Sequence, residues 1–160
     1  MKTTQEIQIS GRVRIIASRA SASKILRLTD WMQNLVVSGT NTGRNLIAQR
    51  LGGQNTYTLN VTHADIGTGT NAPANSDIAL QTPTVRSGVA NQIVAGNVVT
   101  LQFFFPDSLL PNGTYQEFGT FIDGASTIST GKLFNRILFG TPYVKNAGED
   151  TTVEVQFTIS

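Results

Sequence analysis

Apolar and polar residues alternate over several short stretches of this chain, which is the pattern of half-buried β-strands. Ile7, Ile9, Val13 and Ile15 fall on one face, with Gln8, Arg12 and Arg14 on the other and Ser10-Gly11 as an expected bulge. A turn at residues 18–23 leads to a strand over residues 24–31, so the chain is expected to open with a hairpin. Tyr57, Leu59 and Val61 alternate with Thr58, Asn60 and Thr62 in a strand that ends at Ile66. The strongest alternation, Val99, Leu101, Phe103 and Phe105, follows a tight turn at Ala95-Gly96-Asn97 and predicts a central core strand. Strands over residues 114–122, 132–139 and 151–159 complete the series, and a short edge strand is expected at residues 84–87.

Only residues 42–51 carry a good helical signature. Asn41 or Thr42 can cap the helix, Leu46, Ile47, Arg50 and Leu51 form its stripe, and Gly52-Gly53 stops it. Residues 76–80 predict a single helical turn. Seven to nine short strands with one short helix imply a mainly β chain, a single antiparallel β-sandwich or jelly-roll-like domain. Residues 1–30 form a basic N-terminal hairpin or arm, and residues 31–160 the sandwich, as one compact unit.

Charged residues make up 14% of the 160, and Thr, Asn and Gly fill the gap. Such an uncharged polar surface suits a protein that packs on others, because interface cores are poor in charge; a Thr-rich β protein shows it as well. The few charges are polarised. Residues 1–50 hold eight Lys or Arg against Glu6 and Asp30, whereas the remainder holds four basic residues against eight acidic ones. Polarity of this kind orients identical subunits or steers a basic end onto an acidic partner.

The chemistry of catalysis is sparse. With no cysteine there is neither a thiolate nucleophile nor a Cys-based zinc site, and the one histidine, His63, removes any His-pair metal site. Asp65 lies two residues on, but no Gly-x-Ser-x-Gly accompanies the pair. Ser21-Ala22-Ser23-Lys24 matches Ser-x-x-Lys without the partner motifs that give it meaning, and Gly67-Thr68-Gly69 lacks the Gly-Lys-Ser/Thr of a phosphate loop. Arg12, Arg14, Lys24 and Arg27 make a basic patch, yet only Trp31 accompanies them, which argues against direct nucleic-acid binding. No catalytic residue, cofactor or metal is expected. Residues 1–10 lack the apolar core of a secretory signal, and no apolar run is long enough to span a bilayer. The expectation is a chain made and kept in the cytoplasm, with no membrane partner.

Several segments, taken in order, carry a resemblance. They are Asn34-Leu35-Val36-Val37 leading into the helix, Asp65-Ile66-Gly67-Thr68-Gly69-Thr70, Ser76-Asp77-Ile78-Ala79-Leu80, Glu117-Phe118-Gly119-Thr120-Phe121, Gly131-Lys132-Leu133-Phe134-Asn135-Arg136, and the closing strand. Together they resemble small β proteins of tailed-bacteriophage virions, related to tail-collar, tail-fibre and head-surface components. That resemblance implies a non-enzymatic virion protein assembling on the tail with copies of itself, a trimer being the form considered, and with other virion proteins. Head decoration (cement) is the alternative it leaves open. A carbohydrate-binding module contacting host-surface glycan through Trp31, Tyr57, Tyr115 and Tyr143 is the rival from another class.

The residues themselves suggest architectural roles. Gly67 and Gly69 allow the chain to turn where a Cβ would clash, and Gly119 allows a bulge or close packing by a neighbour. Glu117, if it points inward, needs Arg136 or backbone N–H groups as partners, since an unpaired buried carboxylate is costly; the other reading turns it to water. Arg12, Arg14 and Trp31 are the candidate interface residues of the N-terminal segment.

Overall fold

The computed structural model describes residues 5–22 and 24–160. Residues 1–4 of the basic N-terminal segment, and the Ser23 shared by the 18–23 turn and the Ser-x-x-Lys match, lie outside the described residues. Nine strands and one helix follow one another as β1 (Ile9–Arg19), β2 (Lys24–Leu28), β3 (Met32–Val36), α1 (Gly43–Leu51), β4 (Val61–Gly67), β5 (Pro83–Ala95), β6 (Val98–Phe105), β7 (Gly113–Ile122), β8 (Lys132–Lys145) and β9 (Glu149–Ile159). The protein is therefore mainly β with one short helix.

Where a sandwich or jelly roll was expected, the strands close into an eight-stranded antiparallel barrel in the order β1-β3-β8-β7-β4-β5-β6-β9 and back to β1. Two strands make the corners. Residues 83–88 of β5 pair with β4 and residues 89–95 with β6. Likewise β3 pairs first with β1 and then, through Leu35 and Val36, with Arg136 and Asn135 of β8. Alternation along one strand reports which face is buried but not which neighbours it takes, so closure left no mark in the pattern. Closing the ring also removes exposed sheet edges. β2 stands outside it, paired only with the end of β1.

The alternating strands fill the barrel as their patterns require. Val13, Ile15 and Ala17 of β1, Leu101, Phe103 and Phe105 of β6, and Val153, Val155 and Phe157 of β9 are at most 4% exposed. Phe103 meets Phe118 edge-on at 5.8 Å between centroids, and Phe134 meets Phe157 at 5.0 Å. A second, smaller core of Val37, Leu80, Phe121 and Leu133 lies apart from the first, with Leu80 supplied by the long β4–β5 connection. We call that connection, residues 68–82, the strap.

Several local expectations are corrected. No bulge occurs at Ser10-Gly11, since the β1–β9 register runs unbroken from Ile9 to Arg19; Gly11 instead admits Asn34, whose Oδ1 lies 2.1 Å from where a Cβ would stand. Leu59 adopts φ 65°, which breaks the expected strand before Val61. The edge strand at 84–87 is the 13-residue β5, and residues 76–80 form no helix. β8 continues past Phe139 because the chain bulges at residues 139–142 and then re-pairs Tyr143 with Tyr115. In α1, Thr42 is the N-cap residue, but its hydroxyl donates back to Gly39 O, while Asn45 Oδ1 accepts from Asn41 N–H at 2.8 Å. Gly53 ends the helix in the left-handed region at φ 81°. Leu51, expected on the buried stripe, is 80% exposed.

Candidate functional site

Five of the eight residues singled out in the sequence meet beneath the strap. Glu117 lies on β7 with its carboxylate fully buried. Its Oε2 accepts from Arg136 Nη2 at 2.8 Å and Nε at 3.2 Å. The two oxygens also accept three backbone N–H bonds, from Gly69 at 2.9 Å, Gln81 at 2.9 Å and Thr82 at 2.6 Å. Arg136 spends its remaining donors on the strap as well, at Asp77 Oδ2 (2.7 Å) and Asn71 O (3.0 Å). A buried ion pair contributes little net stability, because desolvation offsets the attraction. What this pair fixes is position: five contacts from one carboxylate and one guanidinium hold both ends of the strap against the sheet.

Steric room comes from glycine. A Cβ on Gly69 would stand 2.3 Å from Glu117 Oε1, and one on Gly67 2.3 Å from Thr82 O. On Gly119 it would meet Leu80 Cδ1 and Asn135 O, both at 2.8 Å. Gly119 lies between Asp65 and Arg136 in cross-strand register, and the notch above it receives the strap's Leu80.

Two similar arrangements were not foreseen. Arg86, 8% exposed, faces Asp65 across β4 and β5, with Nε to Oδ1 at 2.5 Å and Nη2 to Oδ2 at 3.1 Å. Its Nη1 donates to Ala125 O and Thr130 O, while Asp65 Oδ2 accepts from Ser129 N–H, so this pair pins the β7–β8 loop. Lys145, 1% exposed, reaches Asp107 Oδ1 at 2.5 Å, Asn112 Oδ1 at 3.0 Å and Asn146 O at 2.9 Å. The hydrogen bond from Lys145 holds the Asp107 carboxyl below its ordinary value. The sequence signal for these pairs is slight: Asp65 sits between Ala64 and Ile66, and Lys145 follows Tyr143-Val144 at the end of β8.

Arg12 and Arg14 of β1 meet Trp31, which lies between β2 and β3. Both guanidinium groups stand 4.5 Å from the indole ring. Two hydrogen-bonded rows run outward from them, Arg12–Gln156–Thr100 and Arg14–Glu154–Gln102–Asn91. The indole is thus engaged within the chain. Tyr115 and Tyr143 are core residues, with hydroxyls bonded to Pro111 O and Thr151 Oγ1, and Tyr57 carries Lys132 at 5.3 Å.

At one end of the barrel the walls part around an apolar trough. A cavity of about 530 Å³ is walled by apolar side chains that include Ile9, Ile47, Val94, Leu101, Phe157 and Ile159, with Asn60 and Gln92 as polar members. It adjoins a second of about 570 Å³, bounded by Ile7, Arg44, Leu51 and again Ile9, Ile47 and Ile159. The rim side chains stand in water: Ile7 is 82% exposed, Leu51 80% and Val94 76%.

Hydrogen bonding also changes the reading of charge. Of the ten carboxylates, only Glu6 and Asp30 accept no hydrogen bond among the described residues. Arg12, Arg19, Lys24, Arg44, Arg50 and Lys132 form no ion pair with a carboxylate among them. Five of the eight carboxylates after residue 50 pair with Arg14, Arg27, Arg86, Arg136 or Lys145 and a sixth, Asp77, shares Arg136, so much of the acidic surplus is engaged by cations within the chain.

His63 is partly buried, with Thr62 Oγ1 3.0 Å from Nδ1; burial, then the nearby Arg86 charge, lowers its pKa below 6.5. Among the described residues no group of three His, Asp or Glu side chains gathers where it could hold a metal ion. No helix among them is long and apolar enough to cross a membrane. Compared with known proteins, the chain matches no family model, no curated protein and no solved structure.

Proposed function

We propose that this chain is a non-enzymatic structural component of a tailed-phage virion, assembling as a homo-oligomer on the tail as a fibre, collar or baseplate accessory. The observation that carries the packing role is the exposed apolar rim of the trough. Side chains such as Ile7, Leu51 and Val94 in one patch mark a surface that another protein covers. The ion pairs support the same reading. They hold loops in place through buried side chains, an arrangement suited to presenting a fixed shape. The tailed-phage assignment draws on the ordered segments of the sequence, and those segments build the strap and the sheet beneath it.

Head decoration drew on small size and charge polarity, with residues 1–30 as its arm. Six of the ten carboxylates are paired with cations of the same chain, and Ile9–Arg19 is paired with β9 throughout, so the tail reading is preferred. Mass spectrometry and cryo-electron microscopy of purified particles test the proposal. The expected result is this chain in several symmetric copies on the tail, and its absence from every particle would sink the reading.

A further inference from the structure

The trough is apolar, its rim is exposed, and its charges are one-sided. Arg44 lies on its wall and Arg50 further along the same helix, neither with a carboxylate partner among the described residues. Glu6, one of the two carboxylates without a hydrogen bond among the described residues, is the neighbour of Ile7, the most exposed large apolar side chain on the rim. An apolar side chain with a free carboxylate beside it is the ligand such a trough would select. The chain carries that ligand itself, at the margin of the same surface. Self-complementarity of this kind is what a two-fold contact requires, since each patch must meet its own copy.

We infer that the trough is the contact surface between two copies of this chain, set mouth to mouth about a two-fold axis. Ile7 of each copy enters the other's trough, and Glu6 pairs with Arg44 across the interface. This inference rests on the packing role proposed above and names the partner. A small amphiphile with a carboxylate head would reach the same lining residues and Arg44, but it lacks the reciprocal pair of contacts that Glu6 and Ile7 give a second copy, and the charge swap below separates the two.

The test is sedimentation equilibrium of the full chain over a range of concentrations, for the wild type, E6R, R44E, their equimolar mixture, and L51E. All three positions are exposed, and circular dichroism checks that each variant is folded. The wild type is expected to be a dimer. E6R and R44E each place like charges across the axis and weaken self-association by about tenfold or more. In the mixture opposite charges meet again at both contacts. The arginine introduced by E6R faces the glutamate introduced by R44E, and the unchanged Glu6 of one copy faces the unchanged Arg44 of the other. The heterodimer therefore forms where neither variant pairs with itself. L51E abolishes the dimer.

A wild type that is monomeric at every concentration, or trimeric, overturns the inference. So do E6R and R44E variants that associate as the wild type does, as when an amphiphile or another virion protein fills the trough. If the chain is found in particles but the charge swap changes nothing, only the mouth-to-mouth contact fails. If the swap works but the chain is absent from particles, the virion assignment fails and the contact stands.

Discussion

Glu117 and Arg136 face each other across β7 and β8 as a buried pair, the carboxylate side chain 0% and the guanidinium side chain 3% exposed, and every oxygen and nitrogen of the pair that points outward bonds the strap. Neither group has water to fall back on, so each depends on the other.

Removing one partner is therefore expected to cost far more than the pair contributes. Glu117→Ala strands a buried guanidinium and should lower stability by about 3–5 kcal/mol. Adding Arg136→Ala removes the stranded charge and costs less than the two single changes together. Denaturant unfolding of the four proteins gives the coupling. Limited proteolysis should show Glu117→Ala cut first within residues 68–82, because that change releases the strap.

Gly69→Ala puts a methyl carbon 2.3 Å from Glu117 Oε1. Overpacking of this kind costs about 1–3 kcal/mol. Gly113→Ala meets nothing within 4 Å and serves as the control. A fall in unfolding midpoint for the first and none for the second is expected; equal behaviour would mean that the strap does not need the space.

His63 is the one histidine, so its ring protons can be followed alone by NMR. Burial and the Arg86 charge place its folded pKa below the ordinary 6.5. The unfolded chain then binds more protons as acid is added, so His63 adds to stability above pH 6.5, and that contribution drains away as pH falls from 6.5 through the folded value. The resonance should titrate below 6.5, and His63→Gln should flatten the stability profile in that window. A midpoint at or above 6.5 would contradict the placement.

Trp31 is the sole tryptophan, which makes its fluorescence a direct report on Arg12 and Arg14. Arg12→Ala with Arg14→Ala uncovers the indole, and its emission should shift to the red. The accompanying loss of stability is about 1 kcal/mol for contacts at this partly exposed site. Unchanged emission would show that the stacking does not persist in solution.

How much of this was legible in the sequence depends on what each residue's fate required. β6 and β9 were readable because each buries one face, and period-two alternation encodes that requirement. β5 was not, since its residues 90–95 run from the wall into a hairpin with little buried on either face. Leu51 looked like a core residue because helical spacing fixes a stripe but not what stands opposite it. Gly67, Gly69 and Gly119 were legible as places where something comes close, and Glu117 as a carboxylate in need of partners. What comes close is supplied by residues 68–82, whose irregular backbone leaves no periodic trace. The Asp65–Arg86 and Lys145–Asp107 pairs depend on contacts between distant segments, which spacing along the chain does not report.

Arg136 has one further consequence. Its backbone sits in the β3–β8 seam opposite Leu35, one of two residue pairs that join those strands, while its side chain grips the strap. Force applied to the strap from outside is thus shared between Glu117 on β7 and Arg136 on β8, and Arg136 carries its part to the shortest run of pairing in the ring. A load on the strap therefore reaches the ring where β3 and β8 are joined by only Leu35 and Val36 and by the neighbouring Val37 N–H bond to Phe134 O.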